Sequence, residues 1–260
     1  MSNNPKILVF ENTYKLTNYL LKLWIDVAKD AIQKRDCFTV ALSGGRSPVE
    51  FYVRLSNFQD FDVWQKTHFF MVDERFVSPD HRDSNIAMVR DNLLNYVGIP
   101  QLNIHHIKTH QKDVKASAAD YAEELKTFFN LQAGQWPVFD LMLLGIGDDG
   151  HTASLFPGSS GTDEIRRITV PVSHDHLRNE RISLTLPVIN NTRQVVFLVT
   201  GDTKADVIQQ LIDEKADLPA NRVMPNNGTL TFLLDRGSAK KLKDLERYSR
   251  QEDNISLFVL

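Results

Sequence analysis

FDLMLLGIGDDGHTASLFPG, residues 139–158, starts as an almost wholly apolar run and ends in glycines, acids and a histidine. The run at 140–144 shows no polar alternation beyond its first residue. That is the pattern of a strand covered on both faces, as in a parallel sheet. Its change to a polar, glycine-bounded loop marks the carboxyl end of that strand. Working outward, further short apolar runs lie at 6–10, 38–42, 68–72, 168–172, 182–186, 195–200 and 230–234. Longer segments with helical periodicity lie between them, at 14–33, 48–55, 85–96, 114–129, 204–212 and 239–247. This alternation predicts βαβ units: an α/β protein with a mainly parallel sheet and helices on both faces. No repeat, low-complexity tract or Pro/Gly/Ser-rich linker divides residues 1–260, so a single domain is expected.

The composition narrows the function. Hydrophobic residues make up 42% of the 260 and charged residues 24%, which is too apolar for a disordered chain. No apolar run reaches the roughly 18 residues that a membrane-spanning helix needs. The N-terminus lacks a basic stretch followed by an apolar one, so no secretory signal is expected. The one cysteine, Cys37, cannot close an intramolecular disulfide, which fits a reducing, cytoplasmic setting. Thirty basic residues stand against 33 acidic ones, a net charge of −3. A nucleic-acid surface would favour a basic excess. An anionic ligand must therefore be held by a local constellation.

In open parallel sheets ligands bind beyond the carboxyl ends of the strands. Four such ends carry unusual residues. After 38–42 comes Ser43-Gly44-Gly45-Arg46-Ser47-Pro48. Its glycines permit a tight turn, Ser47 and Glu50 have capping-box spacing, and Pro48 suits a first helical position. A plain capped helix and a phosphate-binding turn both fit. After 68–72 comes Asp73-Glu74-Arg75, three charges that read either as a solvated loop or as site residues. Ser84 is a candidate N-cap for the next helix.

After 140–144 the loop contains a literal GxGxxG. A dinucleotide fingerprint should open a long helix, whereas Pro157-Gly158 interrupts here within a few residues. His151 beside Asp149 better suits general acid–base work, because an ordinary imidazole titrates near pH ~6.5. After 195–200 comes Gly201-Asp202-Thr203-Lys204. A lysine in a helix's first turn opposes the helix dipole unless an anion binds there. Arg181, at the start of its strand, offers a second cation.

Together these segments resemble the 6-phosphogluconolactonase family. Its pattern joins a Ser-Gly-Gly-x-Thr-Pro loop, an Asp-Glu-Arg followed by Ser-Asn, and a Gly-x-Gly-x-Asp-Gly-His-Thr-Ala-Ser-Leu-Phe-Pro-Gly block. An Arg-Ile/Val-Thr/Ser-Leu-Thr strand and a Gly-x-x-Lys follow. The matches run in order from Ser43 to Lys204, with similarity to about Arg236. The long block through Gly158 is the specific element.

The resemblance implies a Rossmann-like fold related to glucosamine-6-phosphate deaminase. It also implies hydrolysis of 6-phospho-D-glucono-1,5-lactone in the oxidative pentose phosphate pathway, without metal or cofactor. By position, His151 resembles the base that activates water and Asp149 the adjoining acid. Asp73 and Arg75 resemble the active-site pair. Ser43, Gly44, Gly45, Arg46, Ser47, Arg181 and Lys204 resemble phosphate-site positions. The implied partner is the sugar-phosphate lactone, with no nucleic acid or membrane. The chain is expected to be a monomer or a weak homo-oligomer.

The chain departs from the pattern at Arg46-Ser47, where Ser-Thr is commoner, and at Phe232, where Trp is frequent. Two competing readings are weighed. A deaminase-like enzyme would carry Phe-Asn-Glu-Pro after its Gly-His, but Phe156 precedes Pro157 here and cannot orient an imidazole. A non-catalytic sugar-phosphate sensor could lack His151 or Asp149, and both are present. No GxSxG elbow suggests an acyl-enzyme. His105, His106 and His110, and His174 with His176, lack a ligand spacing of known type, so a metal site is not expected. His68 and Cys37 read as structural.

Overall fold

A run such as Leu141–Leu144 is stable as a strand only where apolar neighbours cover both of its faces. The computed structural model describes residues 5–58, 62–173 and 177–248, and in it that cover is complete. Every residue of β2 (Phe38–Leu42) and β6 (Leu141–Leu144) is buried. They lie in a seven-stranded sheet with β1 (Lys6–Phe10), β3 (Thr67–Met71), β5 (Ile104–His105), β9 (Gln194–Val199) and β10 (Thr229–Asp235). The order is β1-β10-β9-β6-β2-β3-β5, and all pairings are parallel. From β2 the chain builds outward through β3 to β5. It then returns to the other flank of β2 and builds through β6, β9 and β10. The β2/β6 junction is therefore the switch point, where a crevice opens at the carboxyl ends.

Helix α1 (Thr13–Arg35) covers part of this sheet. Its buried residues Leu16, Leu20, Trp24, Val27 and Ala31 recur at three- and four-residue steps, the stripe expected of an amphipathic helix. Trp24 meets Phe38 edge-on at 5.2 Å and lies over Phe69 at 5.8 Å. Phe232, in β10, stacks on Phe197 at 4.8 Å. The remaining long helices are α2 (Val49–Leu55), α3 (Asn85–Asn92), α4 (Val114–Phe128) and, after the short α5 (Leu186–Ile189), α6 (Ala205–Ile212). Single-turn helices α7 (Arg236–Ala239) and α8 (Leu245–Tyr248) follow β10.

Three expectations need correction. The strands expected at 168–172 and 182–186 exist as β7 (Thr169–Val172) and β8 (Arg181–Leu184), but they leave the parallel sheet. They form an antiparallel sheet with β4 (Asp73–Arg75), in the order β4-β8-β7. The cause is at Val72, whose N–H bonds Leu42 while its carbonyl accepts from Leu184. That one residue hands the chain from one sheet to the other. The helix expected at 85–96 ends at Asn92, because Leu93 leaves helical geometry with φ −143°; a 3₁₀ turn at Leu94–Tyr96 follows. The helix expected at 239–247 is instead α7 and α8. The Asp235 side chain caps Ser238 and starts the first turn early, and the Lys243 N–H is drawn to Asp213.

β4 does not read as a solvated loop either, since Asp73 is 5% and Glu74 1% exposed. The Glu74 carboxylate accepts from the N–H groups of Asn85 at 2.6 Å, Ile86 at 2.8 Å and Arg75 at 2.8 Å, and from Ser84 Oγ at 3.2 Å. It meets donors that the first turn of α3 would otherwise leave free. Ser84 is the N-cap of α3 as expected, its hydroxyl accepting from the Ala87 N–H.

Burial still pushes Glu74 up to about 7, against those backbone donors. A folded-state value above the unfolded one places the stability contribution below the unfolded value, and it is lost as pH rises through the folded one. We expect wild type to lose stability relative to Glu74→Gln between pH ~4.5 and ~7.5, by about 3 kcal/mol. Urea melts of both proteins across that range check this, and parallel pH profiles would refute it.

Candidate active site

The turn after β2 is built around two glycines for two different reasons. Gly45 has φ +92°, where a side chain is strained. At Gly44 a Cβ would overlap the Asn85 amide. The Ser43 carbonyl is held by the Tyr52 hydroxyl at 2.9 Å. Among the described residues no acceptor takes the N–H groups of Gly45, Arg46 or Ser47. The expected capping box does not form. α2 begins at Val49 behind Pro48 and has no side-chain cap, so Ser47 lies one residue too early. Its hydroxyl is left for other partners.

The loop after β6 folds back on itself. Gly147 donates to the carbonyl of His151 at 2.8 Å and Gly150 to that of Gly147 at 3.0 Å, with Gly150 at φ +79°. A Cβ on Gly147 would overlap the imidazole of His151. Within the GxGxxG string it is thus Gly147 that makes room for a histidine ring, while Gly150 lies against Leu218. The Asp149 carboxylate meets His151 Nδ1 at 2.6 Å and accepts its backbone N–H at 3.1 Å. The hydrogen bond from His151 is the main reason that the Asp149 carboxyl is held down at about 2. A charged carboxylate at Nδ1 keeps the proton there and leaves the lone pair on Nε2. The Phe156 ring lies 4.4 Å from the imidazole and forms an apolar wall. Ala153, which also lines the cleft, has φ +51°, a strained value for a residue with a side chain.

The antiparallel sheet supplies the cations. In its register Arg75 is paired directly with Arg181, and Asp73 with Ser183. Like charges facing across a ladder repel each other. Arg75 Nη1 donates to the Asp83 carbonyl at 2.8 Å, while the Nε atoms of both arginines are buried without a partner among the described residues. Burial pulls the Arg181 pKa down; Asp73 opposes this and Arg75 adds to it. The Asp73 carboxylate accepts from Ser154 Oγ at 2.6 Å, and the Asn85 amide bonds the Asp73 carbonyl at 3.0 Å. On the far wall Lys204 ends the 3₁₀ turn before α6, and its ammonium meets Asp148 at 2.7 Å.

All eleven residues singled out from the sequence fall at one end of the parallel sheet. Ser43, Gly44, Gly45, Arg46, Ser47, Asp73, Arg75, His151, Arg181 and Lys204 line a cleft of about 530 Å³, and Asp149 stands behind His151. Sequence reasoning missed Asn85, Ser154 and Asp148. The Ser84-Asn85 pair and the Ser154 of the long block were visible, but their contacts join segments 12 and 81 residues apart.

A larger cleft of about 740 Å³ between α4 and β7 is lined by no histidine and only one acid, Glu123, so it lacks the equipment for acid–base chemistry. His105 is engaged by His68 at 3.1 Å and Glu124 at 2.9 Å and stacks on Phe70, a structural role. Among the described residues no group of three His, Cys, Asp or Glu is placed to hold a metal. His174 and His176 lie outside the described residues.

The sequence profile described as glucosamine-6-phosphate isomerases/6-phosphogluconolactonase matches residues 11–232. The chain belongs to this family. A 6-phosphogluconolactonase of Synechocystis sp. is 42% identical over 216 residues, 82% of this chain and 88% of that protein. One from Nostoc sp. is 40% identical over 215 residues, with the same coverage. The solved 6-phosphogluconolactonase from Trypanosoma cruzi superposes with a TM-score of 0.82 at 28% identity, covering 94% of this chain and 98% of that one.

As a member of the 6-phosphogluconolactonase/isomerase family, the chain should tolerate no side chain beneath the His151 ring. We expect Gly147→Ala to lower the catalytic rate by at least about 100-fold through ring displacement, with only a small loss of stability. Thermal melts and steady-state rates measured together check this. A near-normal rate would show that the ring position does not matter.

Proposed function

We propose that this chain hydrolyses 6-phospho-D-glucono-1,5-lactone to 6-phospho-D-gluconate, the lactonase step of the oxidative pentose phosphate pathway. In this reading residues 1–260 act as one domain, as a monomer or weak homo-oligomer, in the cytoplasm. The observation that carries it is the Asp149–His151 pair at 2.6 Å facing a cleft with cations on its other walls. The relatives' names support the reaction.

A lactone carbonyl is already electrophilic, so the demand on the protein is a positioned base and a positioned substrate. His151 Nε2 takes a proton from water as the water oxygen bonds to C1. Asp149 holds the tautomer and offsets the charge of the imidazolium. The C1 oxyanion meets the Arg75 guanidinium or free backbone N–H groups. The intermediate then collapses. The C1–O5 bond breaks, O5 receives the proton from Nε2, and the new carboxylic acid ionises to release one proton. Asp73, fastened by Ser154 and Asn85, orients the Arg75 and Arg181 side of the pocket. Arg181, Lys204, Arg46 and the N–H groups of the Ser43–Ser47 turn hold the 6-phosphate. Phe156, packed on the imidazole, occupies the place where a deaminase would present a carboxylate.

The lactone can be generated in situ from glucose 6-phosphate with its dehydrogenase, and 6-phosphogluconate followed against spontaneous hydrolysis. His151→Ala and Asp149→Asn are each expected to lower kcat by about 10²–10⁴-fold with product affinity retained. Because Asp149 stays ionised down to about pH 2, it should add no step of its own to the acid limb of the rate above that pH. Near-normal turnover by His151→Ala would remove it from the base role. Arg181→Ala and Lys204→Ala are expected to raise KM by roughly 10–100-fold with little change in kcat, since phosphate binding is common to ground and transition states. An unchanged KM in both would end the phosphate assignment.

A further inference from the structure

We infer that Asp148 is a counter-ion latch on Lys204, one that the substrate's phosphate must displace. The inference rests on Lys204 being a phosphate cation, as proposed above. The Lys204 side chain is 20% exposed and its ammonium is 2.7 Å from an Asp148 carboxylate oxygen. Asp148 comes from the loop after β6 and Lys204 from the turn after β9, so the pair closes across the cleft between neighbouring strand ends. The Asp148 side chain is 77% exposed and, among the described residues, makes no other hydrogen bond or ion pair.

This is not a second copy of the Asp149 role. Asp149 grips His151 through side chain and backbone, whereas Asp148 points away from that pair to the lysine. An ammonium has three donors and could touch two anions. A phosphate dianion bound there would then lie within a few ångströms of the Asp148 carboxylate, and like charges at that range repel. The bound state therefore has Lys204 on the phosphate and Asp148 released to solvent, which its position on the exposed turn allows.

The consequence is selectivity by charge. A neutral sugar lactone leaves the latch closed and gains nothing from Lys204. A singly charged anion competes with a carboxylate on equal terms. A dianion outcompetes it. The latch also holds the lysine in the cleft while the site is empty, and it recaptures the ammonium as the phosphorylated product departs.

The test is a double-mutant cycle on the full chain: wild type, Asp148→Asn, Lys204→Met and the double variant. The readouts are the inhibition constant of 6-phosphogluconate, the KM for the phosphorylated lactone, and turnover of unphosphorylated glucono-1,5-lactone. Releasing a partly exposed ion pair and its repulsion is expected to tighten 6-phosphogluconate binding by about three- to tenfold in Asp148→Asn. KM should fall in step, kcat should hold or drop as product release slows, and the unphosphorylated lactone should be unaffected. In the Lys204→Met background the same change should do nothing. Asp148→Ala, which removes the carboxylate and its reach, should repeat the result.

Unchanged or weaker product binding in Asp148→Asn, with Lys204→Met impaired, would overturn the latch and leave Lys204 in the phosphate site. Equal tightening in both backgrounds would also overturn it, because Asp148 would then act through its general field. If Lys204→Met binds product as wild type does, the phosphate role of Lys204 fails, and the latch fails with it.

Discussion

Two neighbouring carboxylates, Asp73 and Glu74, are almost removed from water, and a buried carboxylate persists only where donors meet it. Those donors come from β4 itself, the start of α3 and the histidine block. Glu74 gathers the first turn of α3, and Asp73 takes the hydroxyl of Ser154 from the histidine block and the amide of Asn85. Asn85 in turn packs against Gly44 of the turn after β2. Loosening either acid would separate segments that are far apart in the chain and adjacent only here. The antiparallel β4–β8 pairing has the same origin. It brings Arg181 opposite Arg75 because β4 carries the acids that make two facing guanidinium groups tolerable.

In the proposed function a chain with net charge −3 must hold a dianion. The global field does not favour it. The cleft carries Arg46, Arg75, Arg181 and Lys204, and their carboxylate neighbours are arranged in different ways. Asp73 is locked by hydrogen bonds, Asp149 is committed to His151, and the exposed Asp148 is paired to Lys204. Three acids in one cleft thus have three fates, decided by which donor each reaches.

Local pattern was sufficient for much of this. The continuously apolar runs marked all five of the longer parallel strands beside β1 and two of the three strands of the second sheet, because burial on both faces leaves a compositional trace in each run. The polar loops at their carboxyl ends marked the cleft, because an open parallel sheet presents ligand-binding loops there. The Asp149–His151 pairing was legible for the same reason: it joins residues two apart in one turn, and Gly147 and Gly150 beside it are needed where they stand.

What the sequence by itself determined is therefore the α/β architecture, the location of the candidate cleft and the residue types that line it. The tertiary structure alone decided that Asp73-Glu74-Arg75 is a strand and not a loop, since its pairing partner Arg181–Leu184 lies about a hundred residues away. It decided that Ser47 caps nothing, that Ser154 serves Asp73, and that Asp148 engages Lys204. The physical reason is the same throughout. Periodicity and turn chemistry are local and are written in neighbouring residues, whereas the partner of a buried or paired charge is whichever donor the packed chain delivers to it.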